Sequence, residues 1–318
     1  MTAIYTYDLF PGREFLMPWR TILEVARVMI ADGCRTVILN ACHDEGNNKN
    51  YKWEGVDILS IETGFSKLAD TIMERGIKTV FIPFTWREGL KDLFILNRLP
   101  CQKIAYLPGG IYDFHSANTL RKYSSTAIAK PYLLESLIPK MFLANALQKY
   151  GFSHTIGLTP LTAEVAHKAK MPNACCIFPG KDSFEKLSSD YSLIEKFGLE
   201  GKKWLLFSGA PAPTRGAEML LNAMDKVKDN SVRLIMLMRT DVDSQYGKFE
   251  NTIGKMRHPE RITIIREKAS REQLHAFFEM AWYVLLPFIV IPSEIPLTYF
   301  EVLSCGTPIV TFHNGGST

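Results

Sequence analysis

Short runs of β-branched and apolar residues alternate with amphipathic stretches along almost the whole of this 318-residue chain. The runs predict strands near 3–8, 36–41, 56–61, 78–83, 103–107, 154–158 and 174–178, and again near 204–208, 232–238, 261–265, 282–287 and 308–312. Helical periodicity falls between them, near 18–32, 64–75, 87–97, 130–150 and 160–170, then near 215–228, 270–280 and 296–305. Strands separated by helices imply parallel sheets covered on both faces. The rhythm pauses after Pro179 in GKDSFEKLSSDYSLIEKFGLEGKK and then resumes. That pause divides an α/β chain into a first domain over 1–180, a linker over 181–201 and a second domain over 202–318.

Composition narrows the class. An apolar fraction of 47% with 22% charged residues describes a folded chain, not a disordered one. The net charge of +4 tolerates an anionic substrate or lipid surface but does not by itself argue for nucleic acid. Six cysteines without a C-x-x-C pair, two of them adjacent at Cys175 and Cys176, read as reduced thiols of a cytoplasmic protein. The opening MTAIYTYDLFPGREF lacks the basic and apolar regions of a signal peptide. The longest apolar run, AWYVLLPFIVIP at 281–292, is too short to span a bilayer.

Ligands of open parallel sheets bind beyond the carboxyl ends of the strands, so the loops there carry the candidate chemistry. PSEIPLTYFEVLSCGTPIVTF (292–312) reads as a loop, a helix and a buried central strand at Ile309, Val310 and Phe312. Pro296 suits the first helical position and Gly306 a left-handed stop. Glu301 then lies early in the helix and Glu294 on the loop before it. Free N–H groups for an anion, beside carboxylates that accept from hydroxyls, suit a nucleotide-sugar. In LLFSGAPAPTRGAEMLLNAM (205–224), Gly209 permits close backbone approach, and Arg215 with Gly216 opens the next helix where a diphosphate would sit.

Together these segments resemble the retaining glycosyltransferases of the group 1 type (family 4). Four stretches carry the resemblance in order: IFPGKD (177–182), SGAPAPTRG (208–216), ITIIREKASREQLHAFFEMAWYVLLPF (262–288) and SEIPLTYFEVLSCGTPIV (293–310). The resemblance implies the GT-B fold, two Rossmann-like domains facing across a cleft; against that pattern the second domain reads as either shortened or a fragment. It implies transfer of a sugar from a UDP- or GDP-sugar to a hydroxyl acceptor, carbohydrate or lipid-linked, without a cofactor or metal. Arg215 would hold the diphosphate, Glu294 the donor sugar's hydroxyls and Glu301 the ribose. Arg215 and Glu294 are the catalytic candidates. Gly209, Gly216 and the backbone N–H groups of Ile295, Pro296, Leu297 and Thr298 would complete the donor site, and the leaving phosphate itself would take the acceptor's proton.

The chain departs from the family pattern in several places. The two glutamates have six residues between them where seven are usual. Ala210 stands where the family carries an arginine, and Arg239 is the candidate replacement. In the first domain, Gly12 with Arg13 replaces a glycine pair, and LPGGIYDFH offers Gly109, Gly110 and His115 where a histidine is usual. These departures keep a second reading open, a catalytically silent nucleotide-sugar-binding subunit. Asp241-Val242-Asp243 resembles the Asp-x-Asp of metal-dependent glycosyltransferases but reads better as a solvated loop. A dinucleotide-binding dehydrogenase lacks its G-x-G-x-x-G. Residues 120–151 mix Arg121, Lys122, Lys130, Lys140 and Lys149 with leucines and aromatics, a pattern compatible with peripheral membrane contact but read first as a helix packed on the sheet with its lysines in water.

Overall fold

A computed structural model describes residues 1–318 except 15, 17, 44, 45, 47, 48, 85–91, 108, 110–113, 180–183, 202, 239–242, 292–294 and 313–318. By their internal contacts the residues fall into two units. One comprises Met1–Ile111, Leu137–Gly180 and Pro292–Ile295; the other comprises Tyr112–Ser136, Lys181–Ile291 and Pro296–Thr318.

The first unit holds strands β1 (Thr2–Tyr7), β2 (Thr36–Ala41), β3 (Tyr51–Trp53), β4 (Val56–Ile61), β5 (Thr79–Pro83), β6 (Gln102–Tyr106), β7 (Phe152–Gly157) and β8 (Ala174–Cys176). They form one sheet in the order β3-β4-β2-β1-β5-β6-β7-β8, with only β3 antiparallel to its neighbour. Side-chain alternation sorts the residues between faces. Ile4 and Ile38 pack with Ile22, Leu23 and Ala26 of helix α1 (Trp19–Ala31). Ala3, Tyr5, Val37 and Leu39 join the opposite cluster, which contains Leu68 and Ile72 of α2 (Phe65–Glu74) and Leu143 and Leu147 of α5 (Lys140–Lys149). β2 is buried at every position, as a central parallel strand covered twice must be. Helix α6 (Pro160–Lys168) starts at a Thr159 cap whose hydroxyl accepts from the Thr162 N–H, and it packs on β7 and β8.

The second unit carries a parallel sheet of β9 (Trp204–Gly209), β10 (Arg233–Met238), β11 (Ile262–Ile265), β12 (Tyr283–Leu286) and β13 (Ile309–Thr311), in the order β11-β10-β9-β12-β13. Leu220 and Leu221 of α8 (Ala217–Met224) and Phe249 of α9 (Asp243–Ile253) cover one face with Phe207, Leu234 and Met236. Phe277 of α10 (Arg271–Met280) packs edge-on against Trp204. The last helix is α11 (Leu297–Ser304).

Several elements differ from the sequence expectation. Residues 112–136, placed by sequence in the first domain, are counted with the second unit: α3 (Phe114–Tyr123) and α4 (Thr126–Leu137) bury Leu120 and Ala129 against Ile289 and Val290. The expected helix over 130–150 is two helices, because Pro139 takes an extended conformation (φ −61°, ψ 128°) and caps α5 instead of continuing α4. The stretch expected as a linker is partly a packed element, with Phe184 and, in α7 (Ser192–Lys196), Leu193 and Ile194 buried. Among the described residues β13 is an outer strand, not the expected central one, and Val310 and Phe312 are exposed.

Candidate functional site

In the second unit the chain lays down β9, β10 and β11 in one direction, then returns to place β12 and β13 on the other side of β9. The strand order reverses between β9 and β12, and the crevice at such a switch point is where open α/β sheets bind ligands. Two loops leave the strands there. After β9, Pro213–Arg215 forms a 3-10 turn that ends at Gly216 (φ 69°, ψ 17°). After β12, Ile289 and Val290 donate their N–H groups to the Thr214 carbonyl at 2.8 and 3.2 Å, fastening one loop to the other.

Gly216 makes this junction possible. Its left-handed φ disfavours other residues, and a Cβ there would lie 2.2 Å from the Pro287 carbonyl oxygen. The Arg215 side chain is held on two sides. A Cβ on Gly209 would meet Arg215 Cδ at 3.3 Å, so the glycine leaves room for the arginine stem. The guanidinium carbon sits 4.9 Å from the centroid of the Phe288 ring, a cation–π contact. Phe288 in turn stacks on Tyr299 of α11, with centroids 6.2 Å apart and planes at 7°. Tyr299 Oη and Thr311 Oγ1 are 2.6 Å apart, and Thr311 Oγ1 donates to the Leu286 carbonyl, so β12, β13 and α11 are tied behind the stack. Helix α3 packs against the 3-10 turn.

Helix α11 corrects two details of the sequence reading. Pro296 is the N-cap (φ −70°, ψ 136°), not the first helical residue, and having no N–H it offers no donor to a phosphate. The helix-start donors without intrahelical acceptors are Leu297 and Thr298, behind buried Ile295. Glu301 is the fifth residue of the helix, one residue nearer its start than a helix beginning at Pro296 would put it, and half-buried. The C-terminus is as expected: Gly306 (φ 74°) donates to the Leu303 carbonyl and Thr307 to that of Val302, a Schellman stop. Glu294, Arg239, Gly110 and the pair Asp241-Val242 lie outside the described residues.

The first unit has its own switch point, because β1 lies between β2 and the later β5. At the carboxyl end of β1, Asp8 takes φ 51° and its carboxylate accepts from the His43 N–H at 2.9 Å and meets His43 Nδ1 at 3.0 Å. Burial pushes the Asp8 carboxyl up, but hydrogen bonds from His43 and the nearby charges of His43 and Arg13 outweigh it and leave the group below its ordinary value. Arg13 donates from Nη1 to the Asp8 carbonyl at 3.1 Å, and its guanidinium lies over the rings of Phe10 (4.1 Å) and Trp19 (4.9 Å). Gly12 is an exposed turn residue whose N–H donates to Glu14 at 2.6 Å. Asn40, fully buried on β2, fixes the loop: its amide accepts from the Leu9 N–H at 2.9 Å and donates to the Leu9 carbonyl at 2.7 Å. Gly109 is half-buried after β6. His115 is exposed in the first turn of α3 and is counted with the second unit, not the first.

Residues 191–318 match the family model described as "Glycosyl transferases group 1". A solved sucrose-phosphate synthase from Thermosynechococcus elongatus aligns with 99% of this chain and 82% of its own, at 13% identity and a TM-score of 0.71. Anabaena Alr3699/HepE, solved in complex with UDP, aligns with 100% and 82% at 13% identity and a TM-score of 0.66. The trehalose-6-phosphate protein of E. coli bound with UDP-2-fluoro glucose gives 99%, 85%, 11% and 0.66. The fold is that of the GT-B glycosyltransferases. A curated relative, YtcC of Bacillus subtilis, is 25% identical over 134 residues, a stretch that spans 39% of this chain and 31% of the relative.

Within this GT-B fold, sequence reasoning singled out Gly209, Arg215 and Gly216, and the structure brings them together at the second switch point. It missed Phe288 and Tyr299, whose stack joins the loop after β12 to helix α11. It also missed Asp8, Asn40 and His43. The available signal for Asp8 and His43 was their position just past the ends of two β-branched runs.

Proposed function

We propose that this protein transfers a sugar, with retention, from a nucleoside diphosphate sugar to a hydroxyl acceptor, as a family 4 member of the group 1 glycosyltransferases. The observation that carries the reading is the fixed guanidinium of Arg215 at the β9–β12 switch point. Held by Phe288 and Gly209, it offers a diphosphate a pre-oriented, permanently charged and bidentate partner. Such preorganised charge stabilises a leaving phosphate without reorganisation at the moment of bond breaking. Leu297 and Thr298 would add backbone N–H groups, Glu301 would take the ribose hydroxyls and Glu294 the donor sugar. Arg239 is proposed as the cation that compensates for Ala210.

Uracil is the favoured donor base, because the solved neighbours include one in complex with UDP and one with UDP-2-fluoro glucose. The acceptor is assigned to the first unit. There the Asp8–His43 pair can both accept from and donate to a hydroxyl. No cofactor enters the proposed reaction, since the leaving phosphate oxygen serves as base.

The test is a thermal-shift panel of UDP, UDP-glucose and a GDP-sugar on the full chain, with donor turnover measured alongside. Saturating UDP-glucose is expected to raise the melting temperature of the wild type and not of Arg215→Ala. Binding without turnover would instead favour a silent nucleotide-sugar-binding subunit. Loss of turnover on chelation would overturn the metal-independent mechanism and return attention to Asp241-Val242-Asp243.

A further inference from the structure

Tyr299 is the third residue of α11, directly after Leu297 and Thr298, whose N–H groups lack intrahelical acceptors. It is buried, and its ring lies parallel to that of Phe288, with 6.2 Å between centroids and 7° between planes. That is the geometry of an offset stack. Phe288, also buried, has the Arg215 guanidinium carbon 4.9 Å from its centroid. Two buried rings therefore join the guanidinium to the start of the helix, although the two lie far apart in the chain.

The hydroxyl of Tyr299 fixes the plane of its ring. Thr311 Oγ1 has a single hydrogen, which it donates to the Leu286 carbonyl at 2.8 Å. Tyr299 Oη, 2.6 Å from the same oxygen, is then the donor between the two hydroxyls. The ring is held at its tip by β13, through Thr311 by β12, and at its base by the first turn of α11. Turning it would break either the stack or the hydrogen bond. Filling space alone would require neither the parallel plane nor the hydroxyl.

We propose that Tyr299 is a positioning residue of the donor site: through Phe288 it sets the Arg215 guanidinium relative to the N–H groups that open α11. A diphosphate that meets both must find them at a fixed separation, and freedom at either end costs affinity because it must be frozen on binding. Tyr299 acts on Arg215 and needs no contact with the donor. This role deepens the proposed sugar-nucleotide reading and rests on it.

The experiment is a double-mutant cycle on the full chain, read as affinity for UDP and GDP by titration calorimetry and taken for the tighter of the two. Tyr299→Leu keeps an apolar side chain and removes both the plane and the hydroxyl. It is expected to weaken binding about tenfold when Arg215 is present and by no more than about twofold when Arg215 is alanine. Tyr299→Phe keeps the plane and frees the ring tip, so its loss should be smaller and should likewise vanish with Arg215. It carries the test if the leucine variant does not fold. Melting temperatures should fall alike in both backgrounds, because packing does not depend on the guanidinium; only nucleotide affinity should. Equal losses of affinity with and without the Arg215 side chain would reduce Tyr299 to ordinary packing, as would wild-type affinity in both Tyr299 variants. Either result leaves the sugar-nucleotide reading standing, provided that Arg215→Ala itself binds weakly. A wild type that bound neither nucleotide would overturn that reading and this role together.

Discussion

Arg215 and Phe288 belong to loops more than seventy positions apart, yet the guanidinium lies face-on over the ring at 4.9 Å. The contact joins the loop after β9 to the loop after β12 at the switch point of the second sheet. Replacing Arg215 with alanine is expected to lower turnover about 100-fold, the scale of removing one transition-state charge partner. Phe288→Leu keeps the bulk and removes the π face, and should weaken donor binding about threefold to tenfold. Steady-state kinetics with UDP-glucose would check both; equal effects would mean that the ring acts only as packing.

Two glycines with similar backbone angles should respond very differently to alanine. At Gly306 the substituent has open space, so only the left-handed conformation resists it, at about 1–2 kcal/mol. At Gly216 the same methyl would meet the Pro287 carbonyl oxygen at 2.2 Å as well, so the loop must move. Its cost should exceed about 3 kcal/mol, and the donor-induced thermal shift should disappear with it. Urea denaturation of the two variants would show this, and comparable midpoints would be incompatible with the close approach.

Asn40 satisfies both backbone groups of Leu9 with one buried amide. Asn40→Leu should cost about 3 kcal/mol, because a buried N–H and a buried carbonyl lose their partners together. Asn40→Asp can replace only the acceptor half. Chemical denaturation of the leucine variant within about 0.5 kcal/mol of wild type would show that the loop finds other partners.

Asp8 gives a pH dependence of known sign. Its folded-state pKa lies below the ordinary value, so its contribution to stability is complete above the unfolded pKa and is lost as pH falls through the lower folded value. The stability difference between wild type and Asp8→Asn should therefore shrink as pH falls from about 5 to below about 4. Urea midpoints measured across that range provide the check. A difference that grew on acidification would reverse the assigned direction.

The sequence by itself determined the two parallel sheets and the positions of most of their strands. Runs such as TVILNA and RLIMLM cannot be dissolved in water or placed at a surface, and Gly306 announces its own helix stop. It also determined that Gly209, Arg215 and Gly216 would share one loop, because adjacency along the chain is local information. Tertiary structure alone decided that α3 and α4 pack on the second unit: FHSANTLRKY has little apolar periodicity, and Leu120 finds its partners only at Ile289 and Val290. It alone paired Asp8 with His43, and Arg215 with Phe288 and Tyr299. Periodicity reports which face of a segment leaves water. Which distant segment meets that face is set by strand order, and strand order is a property of the whole chain.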